Sequence, residues 1–421
     1  MTRCRMGRQL ARLVVAALLG GAGVATAPPS TLAAVEAPSA RLQIGLPVQQ
    51  AEQLLKEGRL REALTELAEA DAVENKTPYE TYLIEATRAA VLLQSRDYPG
   101  TIKALEAVLA TGFLPPAEAL KRIETLMKLC YQANDYQTLG EYAERYYRSG
   151  GTDDEPHLLL AEAAYQRGDF AAAAAASRAV LAADDRAGRP TPEPVLQILA
   201  SSEYRQQHDA AYRAVLMQLV ARYPKREYWA ELIAAVQRKP GFSDRLALDV
   251  ARLMVATGTM ATPAEYLDAA QRALLAGLPA DAKTFLDKGY AAGILGKGAD
   301  APRQQRLAAM ADRQASEDAK GLAAEAKEAQ AARNGLPAVQ LGEAYASFAR
   351  YDDAIAALEQ GLKKGGLDHP QEATLHLGIA CLAAGNKAKA AAVLRSVAGE
   401  EGTRDLAQLW LILGGVSASP Q

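Results

Sequence analysis

Apolar residues return every three to four positions through most of this 421-residue chain. That is the period of an amphipathic helix with one buried face. Short turns rich in Gly, Asn and Asp divide the periodic stretches. In the clearest case, at 154–183, Pro156 to Gln166 carries the helical pattern, Arg167-Gly168-Asp169 turns, and Phe170 to Leu181 returns. Gly takes the left-handed conformation that ends one helix, and Asp caps the next. The segments 336–364 and 371–398 repeat the arrangement around Arg350-Tyr351-Asp352 and Gly385-Asn386-Lys387. The pattern predicts paired antiparallel helices. The run Ala171 to Ala176 fits it as a helix face without bulk, against which a neighbour packs closely.

The pairs recur at a near-constant interval. Tyr136 and Phe170, each opening a returning helix, are 34 positions apart; Tyr98 lies 38 before Tyr136, and Tyr351 lies 36 before Lys387. A period of this length marks stacked helical hairpins, which build an extended holding surface rather than a pocket. Weaker copies fall at 79–111, 192–223, 226–255 and 263–292.

Specific positions carry a resemblance. One copy reads Leu341-Gly342, Tyr345, Tyr351, Ala354, Leu358, Gly361; the next reads Leu377-Gly378, Cys381, Gly385, Ala390, Leu394. Others read Leu160-Ala161, Ala164, Phe170, Ala173, Val180; Leu126-Met127, Cys130, Tyr136, Leu139; and Gly58-Arg59, Ala63, Leu67, Ala70. These resemble the tetratricopeptide repeat (TPR) family across about 46–400. The resemblance implies an all-α, right-handed superhelical solenoid of about nine hairpins whose first helices line an inner groove. The block from Tyr223-Pro224 to Leu253 also resembles, thinly, repeat proteins associated with TonB-type energy-transduction systems of Gram-negative envelopes.

The organisation expected is a signal peptide at 1–34, a linker at 35–45, a repeat block at 46–300, a charged Ala-rich segment at 301–335, two repeats at 336–400, and a capping helix and tail at 401–421. The segment 301–335 reads as one degenerate hairpin broken near Gln314 to Asp318, or as one longer solvated helix. Leu409 to Leu413 reads as the apolar face that covers the open end of the last repeat.

The N-terminus changes the picture of location. Arg3, Arg5, Arg8 and Arg12 precede an apolar run from Leu13 to Ala27, with a small-residue cut expected after Ala33 or Ala34. This predicts an exported, periplasmic protein with no stable membrane span after cleavage; the alternative is N-terminal anchoring in the inner membrane. Cleavage leaves 43 Lys and Arg against 50 acids, a net charge of −7. No basic stripe suggests nucleic acid. Cys130 and Cys381, 251 residues apart, are expected as buried free thiols, because repeats touch only their neighbours.

The chain holds no HExxH, CxxC, CxxCH or GxSxG motif. No two of its four His residues stand three or four apart, His369 and His376 being separated by seven. No cofactor, metal site or catalytic residue is expected. The positive signal is a row on three successive first helices: Tyr131-Gln132, Tyr165-Gln166 and Tyr204-Arg205, with Lys128 and Glu162 one turn earlier. Rigid aromatic area beside a polar neighbour suits an extended peptide; the competing reading packs these rings between successive helices. The expectation is a non-enzymatic scaffold that binds a segment of an envelope protein, a TonB-type component among the candidates. The alternative is a glycan- or peptidoglycan-binding solenoid.

Overall fold

A computed structural model describes residues 39–399 and 401–415. The expected signal peptide and the expected cleavage site lie outside the described residues. Among the described residues there are 20 α-helices and no strand. They fall into two compact units, divided between Gln206 and Gln207.

The first unit holds α1 (Leu42–Lys56), α2 (Leu60–Asp71), α3 (Pro78–Gln94), α4 (Tyr98–Ala110), α5 (Pro116–Gln132), α6 (Tyr136–Arg148), α7 (Asp154–Gln166), α8 (Phe170–Ala187) and α9 (Glu193–Arg205). Successive helices pair as α1/α2, α3/α4, α5/α6 and α7/α8, and each second helix also packs on the next first helix. First helices touch one another as well, α1 with α3, α5 with α7, and α7 with α9, whereas second helices make no comparable contact. The first helices α5, α7 and α9 therefore form one continuous layer. This is the TPR-like hairpin array that the sequence implies.

One turn design closes these hairpins. In α5/α6, Asn134 takes φ 58°, the Asp135 amide reaches back to the Cys130 carbonyl at 2.8 Å, and the Asp135 side chain accepts the Thr138 amide at 3.2 Å. The left-handed residue and the six-to-one bond end one helix while the Asp begins the next. Arg96-Asp97 and Gly168-Asp169 repeat the design. Because the device tolerates Asn and Arg in the left-handed position, the copies without a Gly still turn.

Buried residues then lock the layers. Leu126, Met127, Cys130, Leu139 and Ala143 form one cluster, with Cys130 a free thiol whose ionisation burial pushes up to about 12. Ala173 has no exposed surface.

The second unit holds α10 (Asp209–Arg222), α11 (Arg226–Gln237), α12 (Ala247–Ala256), α13 (Pro263–Leu275), α14 (Pro279–Ala291), α15 (Ala301–Ala331), α16 (Leu336–Ser347), α17 (Tyr351–Lys364), α18 (Pro370–Ala383), α19 (Lys387–Ser396) and α20 (Thr403–Leu413). The charged Ala-rich segment is a single 31-residue helix, so the longer-helix reading holds. Its apolar stripe, Ala311, Ala315, Leu322 and Ala329, is buried at helical spacing and carries the helix past the expected break. Here the small residues set the interhelix distances. A Cβ on Gly342 would stand 2.6 Å from Leu358, one on Gly378 2.4 Å from Leu394, and one on Gly335 2.0 Å from the Gly361 carbonyl oxygen.

The last helix does more than cover an end. α20 packs on α18 and α19, and it also touches α10 and α12, so the second unit closes on itself. Lys239 pairs with Asp405 at 2.8 Å, Arg245 reaches Glu372 at 3.2 Å and Glu401, and the Ser243 amide donates to the Glu401 carbonyl at 2.9 Å. Gly402, at φ 103°, lets Phe242 approach where a Cβ would stand 2.4 Å from its ring. These partners are more than a hundred residues apart, beyond the reach of any repeat period.

Candidate functional site

Tyr131, Tyr165 and Tyr204 are the penultimate residues of α5, α7 and α9, at equivalent places on three successive first helices. The structure uses part of each group locally. Tyr131 meets Tyr136 edge-on at 6.0 Å, and Tyr165 meets Phe170 edge-on at 5.4 Å. Each ring thus staples the end of a first helix to the aromatic residue that opens the second, which explains why both are half-buried. Tyr204 is 57% exposed, and its neighbour Arg205 lies over the Phe170 ring at 5.4 Å.

Polar groups link one hairpin to the next. The Tyr131 hydroxyl donates to Glu162 Oε1 at 2.5 Å, joining α5 to α7. Lys128 pairs with Glu155 at 2.9 Å across the same two helices. Arg167 donates to the Tyr136 carbonyl at 3.3 Å, and Gln206 to the Phe170 carbonyl at 3.1 Å, each reaching back to the preceding turn. Gln132 is half-buried, while Gln166 and Arg205 are exposed. All eight residues of the predicted row therefore belong to one neighbourhood along α5, α7 and α9. Tyr131, Glu162, Lys128 and Tyr165 hold the array together, and Gln166, Tyr204 and Arg205 present contact area to solvent. Exposed aromatic, amide and guanidinium groups can stack on side chains and bond a peptide backbone.

A second constellation lies inside the second unit, where no sequence motif marks it. His376 on α18 faces Asp249 on α12 through Nε2 at 2.9 Å and Glu343 on α16 through Nδ1 at 2.8 Å. Arg252, one turn after Asp249, donates through Nη1 to Asp249 at 2.8 Å and through Nε to Asp281 on α14 at 2.8 Å. Four helices thus converge on two cations and three carboxylates. Burial opposes charge on His376, but the fields of Asp249 and Glu343 outweigh it and raise its pKa to about 10. With carboxylates on both ring nitrogens, the imidazolium is the form that satisfies every partner. Asp249, despite burial, is lowered to about 2 by His376 and Arg252, and Glu343 is lowered by His376.

Comparisons with known proteins come to solved helical-repeat structures. The TPR2AB domain of yeast Sti1 in its pHSP90 complex is 10% identical with a TM-score of 0.26, over 70% of this chain and 99% of that one. A chain of the Naa15/Naa10 complex bound to HypK is 14% identical with a TM-score of 0.34, over 86% of this chain and 58% of that one. The P58(IPK) TPR domain is 15% identical with a TM-score of 0.21, over 82% and 99%. No family profile and no curated protein matches. At these scores the assignment of a TPR-like fold stands on the hairpins described above.

His376 illustrates what a motif search passes over. Ligands to a metal or a catalytic base are sought at i+3 and i+4, whereas its partners are 33 and 127 residues away. The available signal was a His within the apolar run Leu375 to Cys381, since a His buried there needs polar partners from elsewhere. His157, by contrast, stacks on Tyr147 with ring centroids 4.0 Å apart, a packing role.

Proposed function

We propose that this protein is a non-enzymatic scaffold, exported to the periplasm, whose first unit holds an extended segment of an envelope protein along α5, α7 and α9. The observation that carries the reading is the continuous layer of α5, α7 and α9 with Gln166, Tyr204 and Arg205 exposed along it. Pre-formed spacing of these groups keeps the ordering cost on the scaffold side small, and the partner's backbone supplies the complementary donors and acceptors. The Arg-rich, apolar N-terminal segment supports export. The thin resemblance of Tyr223 to Leu253 makes a TonB-type component the first partner to look for.

The test is photo-crosslinking in cells from positions 166 and 204, with adducts identified by mass spectrometry. A discrete envelope-protein adduct from both positions, lost in Arg205→Ala, is the expected result. Exported, folded protein that yields no protein adduct but is retained on peptidoglycan would replace this reading with glycan binding.

A further inference from the structure

The row of hairpins in the first unit begins at an uncovered helix. The first helices α3, α5, α7 and α9 each receive the preceding second helix on one side. α1 has no such neighbour among the described residues and packs on α2 and α3. Terminal repeats stay soluble by presenting a polar outer face. On α1 that face instead carries Leu42, 77% exposed, and Leu46, 54% exposed, one turn apart. Exposed Gln49 and Gln53 continue the line. Ile44, Val48 and Ala51, on the opposite side of the helix, are buried with residues of α2 and α3.

Two properties of this face decide what fits it. Leu42, Leu46, Gln49 and Gln53 are spaced four, three and four apart, the seam by which two helices wind about each other. The face also lacks charge: exposed Gln43 and Gln50 border the seam, and Glu52 and Lys56 lie off it to one side. The unit as a whole is acidic, with 25 Asp and Glu against 18 Lys and Arg between residues 39 and 206, a net charge of −7. Two copies of such a unit repel unless they meet where charge is missing. A twofold interface must also be complementary to itself. Leu against Leu meets that condition, and so does Gln against Gln, since each amide both donates and accepts. Gln53 donates one amide hydrogen to Glu57 at 2.9 Å and keeps the other, with its carbonyl oxygen, for a facing amide. Antiparallel pairing of the same four residues would set each Leu against a Gln.

We infer that a second copy of this chain covers α1, the two α1 helices lying parallel about a twofold axis. Leu42, Leu46, Gln49 and Gln53 then each meet their own counterpart, in apolar layers followed by amide layers. The inference does not rest on the scaffold reading, since it uses a different helix. Its consequence for that reading is valency: a dimer presents two rows of α5, α7 and α9, so a partner with two segments is held by both.

The test is sedimentation equilibrium of the exported protein from ~1 to ~300 μM, a range that brackets the weak association of a short seam. The mass should rise from monomer towards dimer. Leu46→Glu sets like charges face to face and should weaken association at least about a hundredfold, with helical circular dichroism retained at this exposed site. Gln49→Leu adds an apolar layer and should tighten association about tenfold. Gln53→Cys should form a disulfide with its own counterpart under mild oxidation, because the parallel seam brings the two Cα atoms within about 7 Å. Cys130 and Cys381 are buried and leave that thiol the accessible one. A monomer throughout, unchanged association in Leu46→Glu, or a dimer that Gln53→Cys does not cross-link would overturn the inference.

Discussion

Replacing His376 with Gln should remove a specific arm of the pH–stability curve of the second unit. The imidazolium bridges Asp249 and Glu343 and holds its proton up to about pH 10, against about 6.5 in an unfolded chain. Because the folded pKa lies above the unfolded one, the stabilisation is complete below about pH 6.5 and is lost as pH rises towards 10. Each unit of separation corresponds to about 1.4 kcal/mol. The native protein should therefore lose about 2 kcal/mol between pH 6 and 8, and on the order of 4–5 kcal/mol by pH 10. Asp249 adds an acidic arm of opposite sense, present above about pH 4 and lost as pH falls through about 2. The assay is urea denaturation from pH 5.5 to 10, followed by tryptophan fluorescence. Both Trp residues of the chain, Trp229 and Trp410, belong to the second unit, so the signal reports that unit alone. The expected result is a wild-type-minus-variant difference that is large at pH 6 and shrinks steadily above pH 6.5. A difference that stays constant from pH 6.5 to 9 would refute the bridging role.

Three further outcomes follow from the packing. Ala173→Leu, at a fully buried site between α8 and its neighbours, should lower stability by about 1–3 kcal/mol through overpacking, measured by denaturation of the first unit. Gly335→Ala places a methyl 2.0 Å from the Gly361 carbonyl, backbone against backbone, and should cost about 3 kcal/mol or more; a melting temperature within a degree of wild type would mean that these helices separate freely. Tyr165→Ala should lower thermal stability modestly, by the roughly 0.5–1.5 kcal/mol of its edge contact with Phe170 plus lost burial, whereas Tyr165→Phe should leave it unchanged.

Local rules made the hairpins readable. The turn before Tyr136 and the turn before Phe170 can be predicted because their Asn, Gly and Asp act within six residues, and the apolar stripe acts within eleven. The same locality explains α15, whose buried stripe of Ala and Leu is visible once the helix is allowed to run on. The row Tyr131, Tyr165 and Tyr204 was legible as a row, since it follows from the repeat. How each ring divides itself between the turn and solvent was not, since that depends on which aromatic opens the next helix. The cluster around His376 was illegible for a different reason. Its members come from four helices, brought together by closure of the second unit, and no periodic property of the sequence encodes closure.

That closure also fixes how many repeats the second unit can hold. A row of hairpins with a free end accepts one more or one fewer copy, because only the terminal neighbour notices. Where α20 must meet α10 and α12, an added hairpin would carry Asp405 away from Lys239 and Glu401 away from Arg245. Gene-level duplication of a repeat is then tolerated before Gln206 and selected against after it. Among chains that share this seam, copy number should vary in the first unit and stay constant in the second.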